Sequence, residues 1–216
     1  MLRTLFLFSF SLLVFSCTKK STVERLPFYN SPDFTPQFYS DLTRAYSQTP
    51  HTLPAFNLMD DRGILFTRDS LLGKIHVASF IFTQCGSICP TMVENMKALE
   101  PQIQQKDFLL VSYSVTPWID SVPVLNKYRK ERGLNWPNWK LITGGTSEIY
   151  DLARKGYFAE EDLGFTKDST DFLHTEHLVL MDDSLRIRGV YNGTLALEIQ
   201  QLSRDIDLLR REGSED

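Results

Sequence analysis

The chain has 216 residues, 42% of them hydrophobic, and a formal net charge of −4. This length is enough for one α/β domain with a sizeable core behind an N-terminal export segment. The chain has no block of basic residues, which argues against nucleic acid as a partner. Two of the three cysteines, Cys85 and Cys89, share one loop and the third lies near the N-terminus, so the chain is not a disulfide-scaffold protein.

The N-terminus has the pattern of an export signal. Arg3 precedes an apolar run over residues 5–15, and a small residue, Ser16, precedes Cys17. The run is shorter than the ~20 residues that a membrane span needs. The end of the run resembles a bacterial lipobox, in which the cysteine thiol is acylated and becomes the new N-terminus.

We therefore predict three parts: a lipoprotein signal peptide over 1–16, a lipid-anchored polar tether over 17–50 and a domain over 51–216. The protein would be membrane-anchored, with its domain outside the cytoplasm, on the periplasmic side. Aromatic residues within the tether, such as Phe28, favour partial docking on the domain. The alternative is an ordinary signal peptide cut elsewhere, which would leave Cys17 free.

The rest of the chain alternates between strand and helix patterns. Strand 108–115 is a near-continuous apolar run, as is typical of a parallel strand covered on both faces. The predicted elements are, in chain order, strands 53–59, 64–66 and 75–82, helix 91–105, strand 108–115, a helix from Asp120 or Ser121 to about Arg132, strand 139–142, helix 147–156, strands 172–181 and 187–191, and helix 195–211.

The order of these elements predicts an α/β, thioredoxin-like fold. We expect a central mixed β-sheet flanked by helices, with an N-terminal β-hairpin and a late strand insertion. A polar insertion over 159–171 separates the last strand pair from the helix before it.

The stretch Cys85-Gly-Ser-Ile-Cys89-Pro90 places two thiols between a buried strand and a helix. Pro90 suits a first helical turn, where its missing N–H costs nothing, and the helix N-terminus favours a thiolate. Three residues separate the cysteines, one more than in thioredoxin-type redox motifs. Two thiolates held close together can bind Cu(I) or close a disulfide. The alternative is a pair of buried structural cysteines.

Three segments together resemble the SCO/SenC family. They are the dithiol stretch Cys85–Pro90, the run Val111–Val115 with the following Pro117 and Asp120, and the late segment Phe172–Asp182. The resemblance covers nearly the whole mature domain. Members of this family are membrane-anchored, thioredoxin-like copper proteins that help to assemble cytochrome c oxidase.

The resemblance implies that Cys85, Cys89 and His174 hold one copper ion, as Cu(I) or Cu(II). It implies a metallochaperone rather than an enzyme, with the copper-receiving subunit of a terminal oxidase as its partner. Asp120 and His177 are candidates for supporting the ligands without touching the metal.

The choice among the four histidines also rests on the resemblance. The family histidine lies about eight residues before the acid of the last hairpin, and His174 satisfies this count to Asp182, whereas His177 lies only five residues before it. Because the two histidines differ by three along a strand, their side chains should point to opposite faces. We predict that His76 is a hydrogen-bonded core residue and that His51 is solvated.

Three positions depart from the family pattern. Family members usually have Asp where this chain has Thr116 and Leu173, and commonly have Pro where it has Gly86. None of these changes removes a ligand. They can change how the site is supported or which partner is recognised.

The dithiol supports a second function. The protein would then be a thiol–disulfide oxidoreductase that reduces the cysteines of an apo copper site or other exported thiols, with Cys85 and Cys89 as the redox-active pair. A peroxidase is a weaker interpretation, because no Thr-x-x-Cys motif leads into Cys85. A binding module without a redox step is a further alternative.

Overall fold

The computed structural model describes residues 25–48, 51–159 and 175–214. The predicted signal peptide, Cys17 and His174 lie outside these residues. In the part of the chain that is described, no helix is both long enough and apolar enough to cross a bilayer.

The described residues form one mixed sheet of seven strands. The strands are β1 (Asn57–Asp60), β2 (Leu65–Thr67), β3 (Ile75–Ile81), β4 (Phe108–Ser114), β5 (Trp139–Thr143), β6 (His177–Met181) and β7 (Ile187–Asn192). Their order is β2-β1-β5-β4-β3-β6-β7. Strands β3, β4 and β5 are parallel, whereas β1 and β6 run antiparallel to their neighbours. The predicted mixed sheet with an N-terminal hairpin is confirmed.

Helices connect and cover these strands. The α-helices are α1 (Leu42–Gln48), α2 (Ile88–Met96), α3 (Glu100–Ile103), α4 (Val122–Arg132), α5 (Thr146–Asp151) and α6 (Ala196–Ser214). Helix α5 continues into a π-helical turn over Leu152–Gly156. Gly133 ends α4 in the left-handed conformation, at φ 66°, where glycine has no Cβ to clash.

The helix after the dithiol differs from the predicted 91–105. It begins at Ile88, because Pro90 fits the first turn. It does not run unbroken, because Pro101 near the start of α3 has no N–H to donate and its ring crowds the turn before it. Cys89 therefore lies inside the first turn of α2 rather than in the preceding loop.

Both faces of the sheet are covered. On one face, α2, α4 and α6 contribute buried side chains such as Met92, Leu125 and Leu202. On the other face, the hairpin and α5 with its π-helical turn contribute Leu58, Ile149 and others. All seven residues of β3 are buried, which explains the continuous apolar run of the central strand.

The dithiol loop shares one edge of the sheet with the start of β6. Strand β6 is antiparallel to β3, with Ala78 opposite Val179, so the amino end of β6 lies beside the carboxyl end of β3. The chain after β7 returns to the same edge, where the Gly193 N–H donates to the Glu176 carbonyl at 2.7 Å. Asn95 of α2 donates to the Gly193 carbonyl at 3.0 Å.

Residues 25–48 pack against the far end of β7 and α6. Arg188 is 1% exposed and donates to the carbonyl oxygens of Leu26 and Pro27 at 2.8 and 3.0 Å. Its guanidinium pairs with Glu212 at 2.7 Å and lies 3.9 Å from the ring centroid of Phe28. The buried charge of Arg188 is thus satisfied by groups from both segments that it joins.

Candidate metal centre

The two cysteines of the dithiol lie at the junction of β3 and α2. The chain turns after β3, where the Cys85 N–H donates to the Phe82 carbonyl at 3.1 Å. Cys85 is partly exposed, whereas Cys89 is only 6% exposed, and both are free thiols. The thiols lie within hydrogen-bonding reach of each other. The structure thus brings together the two residues that the sequence singled out.

The two thiols differ in acidity. Partial burial acts to raise the pKa of Cys85, but hydrogen bonds from the backbone of Cys89, Ser87 and Ile88 and from the Cys89 thiol lower it below the ordinary value. Burial raises the pKa of Cys89 to about 12, and the neighbouring Cys85 sulfur adds to this rise. Cys85 is therefore the accessible, more acidic thiol, and Cys89 is the buried partner.

Asp120 ties the start of the dithiol loop to the end of β4. Its carboxylate is fully buried and accepts hydrogen bonds from the hydroxyls of Ser114 at 2.6 Å and Thr116 at 3.0 Å. It also accepts from the backbone N–H of Thr83 at 3.3 Å and from the Thr83 hydroxyl. Thr83 lies two residues before Cys85, so these bonds fix the direction in which the loop leaves β3. The supporting role of Asp120 at a metal stays a prediction.

Two of the donors to Asp120, Thr83 and Ser114, carry no local sequence signal for this role. Thr83 and Ser114 follow or end the neighbouring parallel strands β3 and β4, and the carboxyl ends of parallel strands meet at one edge. Their positions at the ends of two neighbouring parallel strands could have indicated that they lie close together. Thr116, at which family members usually have Asp, donates its hydroxyl to Asp120. An aspartate there would bring a second carboxylate to a buried one, so the threonine suits this chain.

His177 lies on the other side of the sheet from α2. It is the first residue of β6 and shares a face with Val179 and Met181, which belong to the core cluster opposite α2. Its ring packs edge-on against Phe34, with centroids 6.3 Å apart. Its buried Nδ1 has no hydrogen-bond partner among the described residues. A role for His177 in supporting the metal ligands remains a prediction. Its position on this face of the sheet does not support that role.

Two other histidines have structural environments. His76 is fully buried with its Nε2 3.1 Å from the Tyr157 hydroxyl, and burial lowers its pKa to about 3. The prediction of a hydrogen-bonded core histidine is confirmed. The prediction for His51 is wrong: its ring stacks on Phe158 at 4.1 Å, and its Nε2–H donates to the Gly156 carbonyl at 2.9 Å. Because His51 and Gly156 lie 105 residues apart in the chain, local sequence does not reveal this contact.

Residues 25–48, 51–159 and 175–214 contain no group of three or more His, Cys, Asp or Glu side chains that could hold a metal ion. The third candidate ligand, His174, comes directly before the described Thr175 in the chain. What the described part supplies is a dithiol, which can close a disulfide or offer two sulfur ligands to a soft metal.

The sequence model of the SCO1/SenC family matches residues 44–209, which is most of the chain. The chain belongs to the SCO1/SenC family. The resemblance to this family, which was based on three segments of the sequence, is thereby confirmed.

Solved structures of SCO1/SenC proteins share the fold. A SCO1/SenC family lipoprotein from Bacillus anthracis superposes with a TM-score of 0.64 at 26% identity, covering 74% of this chain and 95% of that one. BsSco, described as a cytochrome c oxidase assembly protein with a disulfide switch, gives 0.60 at 26% identity, covering 74% and 93%. Copper-bound ScoI from Arabidopsis thaliana gives 0.57 at 25% identity, covering 74% and 99%. The predicted thioredoxin-like fold is confirmed.

Proposed function

We propose that this protein is a copper chaperone for a terminal oxidase. It binds one copper ion through the thiolates of Cys85 and Cys89 and the imidazole of His174, and delivers the ion to the copper-receiving subunit of the oxidase. The observation that carries this proposal is the pair of adjacent free thiols at the carboxyl end of β3.

The chemistry of these donors fits copper. Two soft sulfurs and one imidazole nitrogen suit three-coordinate Cu(I), with room for a further ligand when Cu(II) is bound. A structural zinc site would normally have a fourth protein ligand. The copper-bound Arabidopsis relative and the oxidase-assembly role of BsSco, carried over to this family member, support both the cargo and the partner.

The sheet topology favours His174 over His177 as the third ligand. Because β6 is antiparallel to β3, the amino end of β6 lies at the edge of the sheet where Cys85 lies, and His174 comes three residues before His177 in the sequence. His177 is directed to the face opposite α2, which carries Cys89. The register therefore disfavours His177, which agrees with the choice of His174 from its distance to Asp182 in the sequence.

We also propose that the mature chain starts at an acylated Cys17, as the lipobox-like sequence and the description of the Bacillus anthracis relative as a lipoprotein suggest. Each buried methylene contributes about 0.8 kcal/mol, so two or three acyl chains give stable anchoring. Cys17→Ser should release the protein from the membrane fraction or leave the signal uncleaved. Intact-mass measurement decides the matter: an unlipidated N-terminus downstream of Cys17 contradicts the proposal.

A thiol–disulfide oxidoreductase is the second candidate function. The observation that favours it is the difference between the accessible, more acidic Cys85 and the buried Cys89, whose pKa is raised to about 12. An exposed attacking thiol with a buried partner is the arrangement that disulfide exchange needs. The disulfide switch described for BsSco also supports a function in thiol–disulfide exchange.

Loss of His174 separates the two functions, because metal delivery needs the imidazole and disulfide exchange does not. In cells that lack the native gene, His174→Ala should fail to restore oxidase activity at low copper while it keeps a reversible Cys85–Cys89 disulfide. Oxidase activity and the thiol state, trapped by alkylation, are measured together.

The matched control for this experiment is His177→Ala, which removes the histidine on the opposite face and should restore activity. Full rescue by His174→Ala, with no rescue by Cys85→Ser or Cys89→Ser, would establish the reductase instead. If His177→Ala failed and His174→Ala succeeded, the ligand choice would be wrong.

A further inference from the structure

The N-terminal segment is fixed to the domain close to the place where its described part begins. Arg188 donates to the carbonyl oxygens of Leu26 and Pro27 at 2.8 and 3.0 Å. Glu212, the buried partner of Arg188, accepts from the Leu26 N–H at 2.8 Å. Because this buried ion pair completes its hydrogen bonds with the backbone of the segment, undocking would leave buried polar groups unsatisfied. The chain that precedes Leu26 therefore leaves the domain at one defined exit point.

The exit point lies at the end of the sheet opposite the dithiol. Ile187 at the start of β7 pairs with Met181, and Met181 pairs with His76 near the start of β3, whereas the dithiol follows the other end of β3. Helix α6 measures the separation, because it begins at the dithiol edge and ends at the exit point. A rise of 1.5 Å per residue from Ala196 to Glu212 places the exit point about 24 Å from the dithiol edge.

The proposed lipid anchor is close to the exit point in the sequence. Cys17 precedes Arg25 by eight residues, and eight residues of fully extended chain span at most about 29 Å. Acyl chains on Cys17 would therefore keep the exit point near the bilayer. The dithiol edge, at the other end of the domain, is not restrained in this way.

Two exposed apolar side chains lie near the exit point. Phe38 is 72% exposed and directly follows a residue whose backbone pairs with that of Phe28. Leu72 is 41% exposed, and the next residue, Gly73, donates to the Asp183 carbonyl in the turn between β6 and β7 at 2.9 Å. Aromatic and aliphatic side chains on a protein surface can insert into the boundary between lipid headgroups and acyl chains. A bilayer held against this end by the anchor would cover both side chains.

We propose that the end of the domain with the exit point, Phe38 and Leu72 faces the lipid bilayer, and that the dithiol edge points away from it. The inference rests on the acylation of Cys17 proposed above and does not depend on copper. In this orientation Cys85 is presented to an acceptor site that projects from the membrane rather than to the lipid surface.

Energy transfer to dye-labelled lipid headgroups tests the orientation of the acylated protein in phosphatidylcholine vesicles. A fluorescent probe is attached at Asp183→Cys, near the exit point, or at Leu197→Cys, in the first turn of α6 at the dithiol edge; both side chains are exposed. Cys85→Ser and Cys89→Ser in both proteins confine the probe to the new thiol. Because transfer falls steeply with distance, we expect it to be several-fold faster from position 183 than from position 197. Equal transfer, or faster transfer from position 197, overturns the proposal.

The contact with lipid is tested by Phe38→Asp combined with Leu72→Asp. Both side chains are exposed, so the fold should be retained, but a charged group is costly to bury in the apolar part of the boundary. Transfer from position 183 should therefore fall. The matched control is Ile64→Asp with Leu65→Asp, two exposed apolar residues at the sheet edge opposite β7, which should leave transfer unchanged. No fall in the test variant, or an equal fall in the control, overturns the contact.

Failure of the orientation is distinguishable from failure of the proposed function. A chain without acyl groups that stays in the aqueous fraction shows that the anchor at Cys17 is wrong, and the orientation falls with it. An acylated chain with equal transfer from both probes overturns the orientation alone. Copper binding, measured on the protein with both thiols intact, decides the chaperone function independently of either result.

Discussion

Cys85→Ser and Cys89→Ser are each expected to weaken Cu(I) binding by more than about 100-fold. Loss of a group that only supports a ligand already costs about 10- to 100-fold in metal affinity, and a lost thiolate costs more. One remaining sulfur with an imidazole is a poor site for a soft cation. The measurement is an anaerobic competition titration of each variant against a Cu(I) chelator.

The control for this titration is Ser87→Ala in the same loop. Its hydroxyl is exposed and makes no capping hydrogen bond to α2, and its backbone, which hydrogen-bonds to Cys85, is retained. Copper affinity should stay within a factor of about three of wild type. An unchanged affinity in either serine variant would contradict the dithiol as the copper site, since the fold of each variant can be checked by circular dichroism.

Arg129→Met is expected to reduce the free energy of unfolding by about 3–5 kcal/mol at neutral pH, because it leaves a buried charge unpaired. Asp61 is fully buried and accepts from the Arg129 Nη2 at 2.9 Å and from its Nε. The same guanidinium donates to the carbonyl oxygens of Leu134 at 2.6 Å and Trp139 at 2.5 Å. One side chain thus holds α4, β5 and the turn after β1 together. Urea denaturation of the two proteins measures the difference.

The effect of Arg129→Met should depend on pH. Burial acts to raise the pKa of Asp61, but the hydrogen bonds and charge of Arg129 outweigh it and hold the pKa below 3.8. In wild type this contribution is complete above the ordinary aspartate pKa and is lost as the pH falls through the lower folded pKa. In the variant, the arginine no longer offsets burial, so the pKa of Asp61 is raised. Protonation of Asp61 then removes an unpaired buried charge from the folded protein. The difference between the proteins should therefore shrink as the pH falls through the raised pKa of Asp61 in the variant and then through its lowered pKa in wild type.

Lys127→Met on the same helix is the control for Arg129→Met. Lys127 pairs with Glu131 at 3.6 Å, but both side chains are well exposed, and such pairs contribute about 0.5 kcal/mol or less. A loss below about 1 kcal/mol for Arg129→Met at pH 7, or a loss that does not change with pH, would show that the buried pair does not have this role.

Local sequence determined the order of the elements and the position of the dithiol. Strand β3 is buried along its whole length, so its continuous apolar run is readable without the fold. Pro90 and Gly133 mark a helix start and a helix end through the geometry of their own backbones. These signals depend on neighbouring residues alone, which is why they could be predicted.

Tertiary structure decided how the residues around the dithiol differ from one another. Cys85 and Cys89 are equivalent in the sequence, and only the burial of Cys89 against the core raises its pKa to about 12. Two of the donors to Asp120 come from the chain just after β3 and from the end of β4. His51 is partly buried by Phe158 and by Gly156, which lies 105 residues further along the chain. Burial and hydrogen-bond partners depend on contacts between distant segments, and acidity and reactivity follow from them.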